Sequence, residues 1–454
     1  MWYTEFMFSG LHVRRYAAWL FAWCATTLAA ESPLAVQFRD PPADRSRPCL
    51  AVPLEKLSGE KELLFRQLSL VRDFGAGGVL VRVPVADDAV WAHLTLVSDT
   101  CRRLGLDLGV CDFPLSAEEV VSRPRLQRLV WSAHCALPAE AATNACPSVF
   151  QPGRSYRELA RLAVPAEGVV LPHQVMELKD AAAPTNGVWR IYRFGCSDME
   201  PALADCFEAN GVFRHVNQLL FASQSRLSRT YGTTFQWCQM AGSGTCDWMW
   251  PRDLPEIFLK RSGLALTRHF PALAGVAVGG EATATYVRQQ AAQAVCETWR
   301  QRFAQPVNEL VHEAGLEAGI AIDEVPIDPE EVALYFRRPT LSAAKTTSEQ
   351  IRNIHAAGGA RALGRRFVIG RLSDAQTFST APRAQWTFPG KNAIDQLLGE
   401  GATRILLDVE GDVPEEGERF AQIRALSRYA HRCQLVLQHG EAVADLLVWS
   451  AGVP

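Results

Sequence analysis

The chain has 454 residues, of which 48% are hydrophobic and 21% are charged. This composition is typical of a folded globular protein and excludes a disordered, collagen-like or low-complexity chain. The formal net charge is −3, so no overall positive field attracts nucleic acid or an anionic membrane surface. The 12 cysteines include no Cys-x-x-Cys pair, so the spacing of a zinc ribbon or a redox motif is missing.

The first thirty residues have the pattern of a secretory signal peptide. Arg14 and Arg15 precede an apolar run over residues 16–30, and small residues close that run. The run is shorter than the roughly 20 residues that a membrane-spanning helix needs, and no later uncharged segment reaches that length. The sequence therefore predicts a secreted or periplasmic protein with a signal peptide at residues 1–30 and no membrane span in the mature chain. An uncleaved N-terminal anchor is the alternative.

Past residue 30, short apolar runs alternate with longer helical patterns, which is typical of parallel strands joined by helices. Eight of these runs fit strands, at residues 34–38, 78–83, 106–111, 233–238, 318–323, 332–336, 366–370 and 404–409. Eight strands that each lead toward a helix are the elements of a (β/α)8 TIM-type barrel. We therefore expect one α/β barrel domain over residues 31–450.

One insertion interrupts this alternation between the third and fourth predicted strands. Residues 122–195 are rich in proline and alanine and contain the short extended segments 168–178 and 187–194. This pattern predicts a small antiparallel, β-rich excursion on the active rim of the barrel.

Acidic and aromatic residues stand where several predicted strands end. In a barrel of this kind, the loops that follow the strands converge over one mouth. The acidic candidates at these ends are Asp112, Asp247, Glu324, Asp374 and Asp408, and the aromatic ones are Trp237, Trp248 and Trp250. Flat rings stack on the C–H faces of a sugar while carboxylates bind its hydroxyl groups. The predicted partner is therefore a polysaccharide or oligosaccharide and not a nucleic acid.

Glu324 and Asp247 are the predicted catalytic residues. Two carboxyl groups that face each other across a glycosidic bond can hydrolyse it, because one donates a proton and the other aids attack at the anomeric carbon. Each has an ordinary alternative, Glu324 as an acid that caps a loop and Asp247 as a turn residue. The other candidates are predicted to bind substrate, and the tryptophans alternatively belong to the core.

Segments in one continuous order resemble glycoside hydrolase family 106, the α-L-rhamnosidases. They begin with residues 38–48, 72–79 and 103–108 and continue with 189–195, 250–261, 270–275, 315–324, 368–370 and 440–449. The resemblance runs from about residue 36 to the end of the sequence. It implies a secreted exo-acting enzyme that removes terminal rhamnose from polysaccharides, with glutamates on the barrel rim and often a bound calcium ion. No other cofactor is expected.

The chain departs from that family at most of its acidic positions. Residues 240–244, Tyr335, and Arg371 or Leu372 fall where the family carries acidic side chains, whereas Glu324 is retained. A neutral side chain cannot donate a proton or offset the charge of an oxocarbenium-like transition state. Two functions therefore stay open. One is a hydrolase of rhamnose-containing or related glycans with a rebuilt site, and the other is a non-catalytic carbohydrate-binding or scaffold pseudoenzyme on the same barrel.

Overall fold

The computed structural model describes residues 36–38, 41, 47–83, 87–111, 125–136, 156–178, 187–199, 205–240, 248–373 and 387–439. The predicted signal peptide at residues 1–30 lies outside these ranges. Within them, no helix combines the length and the apolar character that crossing a lipid bilayer requires.

Eight parallel strands close into a barrel. They are β1 (Cys49–Pro53), β2 (Gly78–Arg82), β3 (Asp107–Cys111), β8 (Phe235–Met240), β9 (Glu317–Ala321), β10 (Arg338–Ser342), β11 (Ile369–Leu372) and β12 (Arg404–Asp408). Each strand pairs in parallel with the next in that order, and β12 pairs with β1 to complete the ring. The predicted (β/α)8 barrel is therefore confirmed.

Helices follow the strands around the barrel. They are α1 (Lys61–Asp73), α2 (Asp88–Leu104), α3 (Ala209–Arg226), α4 (Leu254–Ser262), α5 (Leu266–Leu273), α6 (Glu281–Trp299), α7 (Gln305–Glu313), α8 (Val332–Tyr335), α9 (Thr347–Ala362), α10 (Thr387–Gly399) and α11 (Gly417–His439). Capping side chains and glycines determine where several of these helices begin and end. For example, the Asp87 carboxylate accepts a hydrogen bond from the Val90 amide at 2.7 Å, and Gly105 ends α2 with a left-handed backbone.

Two of the eight predicted strands are wrong. Residues 36–38 are helical, and the first barrel strand is β1 instead. Residues 332–335 form α8, where the Phe336 amide bonds to the Val332 carbonyl at 2.9 Å. A short apolar run fits a helical turn as well as a strand, because periodicity over four or five residues does not distinguish them. The true strand β10 begins at Arg338, a charged residue that the search for apolar runs passed over.

The insertion between β3 and β8 forms an antiparallel sheet, as predicted. Its strands β4 (Gln127–Ala136), β5 (Tyr156–Pro165), β6 (Met176–Glu177) and β7 (Trp189–Asp198) are arranged in the order β4, β7, β5, β6. The sheet is joined to the segment after β8 by backbone hydrogen bonds. The Leu129 amide donates to the Trp248 carbonyl at 2.9 Å, and the Trp250 amide donates to the Gln127 carbonyl at 2.8 Å.

The side chains inside the barrel lie in three layers, since alternate residues of a strand face the same side. The layer at the amino ends of the strands contains Cys49, Asp107, Glu317, Arg338, Phe367 and Arg404. The middle layer is mostly apolar and contains Ala51, Leu80, Trp237, Ile369 and Leu406, with a buried hydrogen bond from the Thr340 hydroxyl to Gln239 Oε1 at 3.3 Å. The layer at the carboxyl ends contains Arg82, Cys111, Ser342, Arg371 and Asp408. Charged side chains therefore occupy both ends of the interior, with an uncharged layer between them.

Trp237 fills the centre of the barrel, and glycine makes room for it. The indole is almost completely buried. A Cβ atom added at Gly109, on the neighbouring strand, would overlap the six-membered part of the Trp237 ring. The middle layer therefore needs both the large side chain of Trp237 and the absence of a side chain at Gly109.

Replacing Gly109 with alanine should destabilise the barrel. The added methyl group has to displace the indole from a close-packed interior, which typically costs about 1–3 kcal/mol. The measurement is the free energy of unfolding in urea. Gly59→Ala is the matched control, because a Cβ atom at Gly59 meets nothing within 4 Å. Adding Trp237→Leu to the Gly109→Ala variant should recover part of the lost free energy of unfolding. If it recovers none, overlap with the Trp237 ring is not the cause of the loss.

Candidate functional site

The structure describes five of the eight predicted site residues. Glu324 and Asp408 lie at the carboxyl ends of β9 and β12, and the other three are the tryptophans. Asp112, Asp247 and Asp374 lie outside the described residues, so their roles stay predictions. The described part of the mouth is formed by the carboxyl ends of β2, β9, β10, β11 and β12.

Asp408 is held by two arginines. Its Oδ1 accepts a hydrogen bond from Arg82 Nη1 at 3.3 Å, and its Oδ2 accepts one from Arg371 Nε at 2.7 Å. The carboxylate is only 2% exposed, so these two guanidinium groups are its charge partners in a poorly solvated position. Asp408 therefore joins the carboxyl ends of β2, β11 and β12 and orients both arginines. Its predicted contact with substrate stays a prediction.

Arg371 links Asp408 to the Glu324 side of the mouth. Burial lowers the pKa of Arg371. The Asp408 carboxylate raises it, and Cys111 and Glu324 raise it further, so that the net pKa is raised. Arg371 therefore remains a cation at all physiological pH values. Arg371 therefore cannot act as a proton donor. Either Arg371 or its neighbour Leu372 stands where the family resemblance expects an acid. Leu372, the other residue at that point, is fully buried.

Glu324 is positioned by a short turn after β9. The turn covers residues Ile322–Glu324, and its buried Ile322 anchors it to the core. Arg352 on α9 donates to the Ile322 carbonyl at 3.1 Å, and the Ser342 hydroxyl donates to Asp323 Oδ2 at 3.1 Å. The turn is thereby fixed to both β10 and α9. Glu324 itself is partly exposed, as an acid that meets a ligand needs to be.

The three tryptophans have different environments. Trp237 lies in the middle layer of the barrel, and Trp250 is buried against Phe270 with the ring centroids 5.7 Å apart. Neither ring presents a surface to solvent in this conformation, which favours the core alternative for both. Trp248 is partly exposed and packs against the core from outside. Of these three candidates, Trp248 is therefore the one with ring surface for stacking on a sugar.

Arg82 and Arg371 are the mouth residues that the sequence search did not find. The search looked for acids and aromatic residues that follow each strand. These arginines instead lie within the strands, at the carboxyl end of β2 and of β11. The alternation of inward and outward residues along those strands was the available signal. It places the two arginines on the same inward face as Asp408 at the end of β12.

The described residues include no group of three or more histidine, cysteine, aspartate or glutamate side chains that could hold a metal ion. The calcium ion that the family resemblance implies stays an expectation. Cys49, Cys101 and Cys238 are buried free thiols.

The fold is like that of glycoside hydrolases. The structure is similar to a rhamnosidase from Novosphingobium sp. PP1Y, with a TM-score of 0.60 and 13% sequence identity over 90% of this chain and 61% of that one. This chain thus spans 61% of the rhamnosidase's length. At this identity the likeness establishes the fold alone, a (β/α)8 barrel.

Two further solved structures align less closely. The catalytic domain of a beta-amylase from Paenibacillus polymyxa gives a TM-score of 0.45 at 9% identity, over 83% of this chain and 96% of that one. A GH20 catalytic module of the pneumococcal exo-beta-D-N-acetylglucosaminidase StrH gives 0.35 at 9% identity, over 85% and 84%. No protein-family model matches the chain, and no curated protein does.

Replacing Asp408 with asparagine should destabilise the protein. The change removes the negative charge between Arg82 and Arg371 and directs an amide N–H group at one of them. Both arginines are partly exposed, so we expect a loss of about 1–3 kcal/mol, the range for hydrogen bonds to charged groups. The measurement is the free energy of unfolding in urea.

Asp412→Asn is the control for this substitution. Asp412 pairs with Lys56 at 3.4 Å on the surface, and its side chain is 83% exposed. Such pairs contribute about 0–1 kcal/mol. Equal losses in the two variants would contradict a special role for the Asp408 pairing.

Proposed function

We propose that the protein is a non-catalytic carbohydrate-binding member of the glycoside-hydrolase-like barrels and that it binds a glycan in the mouth at the carboxyl ends of the strands. The observation that carries this proposal is the pairing of Asp408 with both Arg82 and Arg371. The pattern of residues 16–30 supports action outside the cytoplasm, where polysaccharides are found.

The charge pairing in the mouth disfavours hydrolysis by the described residues. Cleavage of a glycosidic bond requires two carboxyl groups at the anomeric centre, one of which exchanges a proton. Both oxygens of Asp408 are already hydrogen-bonded to arginines, so its carboxylate is engaged within the protein. Arg371 stays charged. Glu324, which is partly exposed after β9, is then the acid that we assign to the sugar.

The same residues suit binding to sugar hydroxyl groups. Glu324 is an acceptor, and the nitrogens of Arg82 and Arg371 that do not contact Asp408 are donors. The side chains of these arginines are 21% and 36% exposed. Trp248 adds a partly exposed ring at the edge of the inserted sheet. A small number of placed polar groups beside an aromatic surface is typical of carbohydrate sites.

The proposed sugar is rhamnose or a related residue of a polysaccharide. Its support is the resemblance of residues 36 onward to the α-L-rhamnosidases and the likeness in fold to a solved rhamnosidase. A deoxy sugar with a methyl group also suits a site that combines an apolar ring with few charged groups.

Hydrolysis of the same glycan is the second candidate function. The likeness to the rhamnosidase over 90% of the chain favours it. In that case Glu324 acts with Asp247, which directly precedes Trp248 in the segment that is hydrogen-bonded to β4. The two candidates differ in whether a second carboxyl group reaches the sugar held by Glu324.

Glu324→Gln should weaken glycan binding by at least about tenfold, because a charged acceptor is replaced by a neutral amide. The measurement is isothermal titration calorimetry of the full chain with rhamnose-containing oligosaccharides chosen from a glycan array. Glu313→Gln is the matched control. Glu313 is exposed at the end of α7, which leads into the amino end of β9. Unchanged affinity in Glu324→Gln would remove Glu324 from the site.

An activity assay on the same proteins separates the two candidates. We expect no release of product from aryl rhamnosides or pectic polysaccharide by the wild-type chain. Turnover that is lost in both Glu324→Gln and Asp247→Asn would instead establish hydrolysis by that pair. Equal turnover in wild type and Glu324→Gln would assign the chemistry to other residues.

A further inference from the structure

The amino end of the barrel interior contains two buried arginines that both lie near one aromatic ring. Arg338 and Arg404 are 2% and 1% exposed. Each guanidinium carbon lies 5.2 Å from the centroid of Phe367, whose strand lies between theirs. Arg338 also lies 4.8 Å from the Trp237 ring. This layer is at the opposite end of the barrel from the proposed glycan site and is independent of that proposal.

Each arginine has one carboxylate partner. Arg338 Nε donates to Glu317 at 2.5 Å, and Arg404 Nη2 contacts Asp107 at 3.3 Å. The two acids are partly exposed, at 34% and 22% of their side-chain area. The acids therefore lie toward the solvent at the amino end, while the guanidinium groups lie deeper.

Several N–H groups in this layer are not hydrogen-bonded by protein. Arg338 Nη1, Arg404 Nε and Nη1, and Trp237 Nε1 are buried and have no hydrogen-bond partner in the described part of the chain. A buried donor without a partner costs about 1–3 kcal/mol, and a charged one costs more. All four nitrogens are donors, so the group that satisfies them has to be an acceptor.

A third arginine lies at the solvent edge of this layer. Arg366 is exposed, but its guanidinium carbon also lies 5.2 Å from the Phe367 centroid, which brings a third cation beside two carboxylates. Burial lowers the pKa of Arg338; the Glu317 carboxylate opposes this change and the neighbouring Arg404 adds to it.

The Cys49 thiol does not supply the missing charge. Burial raises the pKa of Cys49, and the nearby Arg404 offsets this only in part. Cys49 is therefore a neutral thiol that lines the layer.

The amino-end layer is closely packed beside Gly78. A Cβ atom at Gly78 would lie 2.9 Å from the Asp107 Cβ and 3.2 Å from the Cys49 sulfur. This close packing favours a compact acceptor over an organic acid or a phosphate ester.

We propose that Arg338, Arg404 and Trp237 form a binding site for a small monovalent inorganic anion, of the size of chloride, at the amino end of the barrel interior. The anion accepts the N–H groups that protein atoms leave unbonded and balances the third cation. It links β8, β10 and β12 and stabilises the closed barrel.

Thermal unfolding of the full chain tests this proposal. Sodium chloride replaces sodium methanesulfonate stepwise at constant ionic strength. A ligand that binds the folded chain at ten times its Kd multiplies the folding equilibrium constant by about 11. We therefore expect the unfolding midpoint to rise with chloride, and to rise with the logarithm of its concentration above the Kd. Equal midpoints in the two salts would overturn the proposal and assign water to these donors.

Matched variants locate the effect. Arg338→Lys and Arg404→Lys keep the charge but lose the nitrogens in question, so we expect each to lose the chloride dependence. Arg261→Lys is the control, because Arg261 bonds to Glu297 at 2.6 Å on the helical surface, and it should keep the dependence. Chloride dependence that persists in both barrel variants would place the ion elsewhere and overturn the proposal.

A crystal of the wild-type chain grown in sodium bromide replaces the variants if either fails to fold. An anomalous bromide peak within hydrogen-bond distance of Arg338 and Arg404 is the expected result. Absence of such a peak inside the barrel would overturn the site.

Discussion

The fixed width of a closed eight-stranded barrel is the constraint on which this structure depends. Every inward side chain has to fit a space shared by eight strands, and every inward charge has to find a partner there. The chain meets this requirement with an indole opposite a glycine in the middle and with arginine–carboxylate pairs at both ends. Because these pairs connect strands that are distant in sequence, they depend on closure of the barrel as well as contributing to it.

The number of acidic residues at the strand ends overestimates the number of catalytic candidates at the mouth. An acid at a strand end is a catalytic candidate only if its carboxyl group can exchange a proton or meet the substrate. Asp408 is occupied by two guanidinium groups, and one of them belongs to Arg371, at or beside a position where the family resemblance expects an acid. The described part of the mouth is thus polar, but its buried acid, Asp408, is already paired with two arginines.

The architecture was predictable from the sequence, but the arrangement of the site was only partly so. Six of the eight strand predictions overlap real strands, because apolar runs between helical patterns mark buried parallel strands. The failures at residues 34–38 and 332–336 arise where periodicity does not distinguish a short helix from a strand. Arg82 and Arg371 were missed because pairing with Asp408 depends on which strands become neighbours, and that is settled only when the barrel closes. The roles of Asp112, Asp247 and Asp374, and the predicted location of the protein, stay predictions.

The attachment of the inserted sheet has a consequence for ligand length. Backbone hydrogen bonds tie Leu129 and Gln127 of β4 to Trp248 and Trp250, so the inserted sheet is fixed to the described segment that leads into α4. Under the proposed function, a sheet fixed beside the glycan would limit how many consecutive sugar units can bind. The length of the insertion would then adjust selectivity for the end of a polymer over its middle, without any change in the barrel strands.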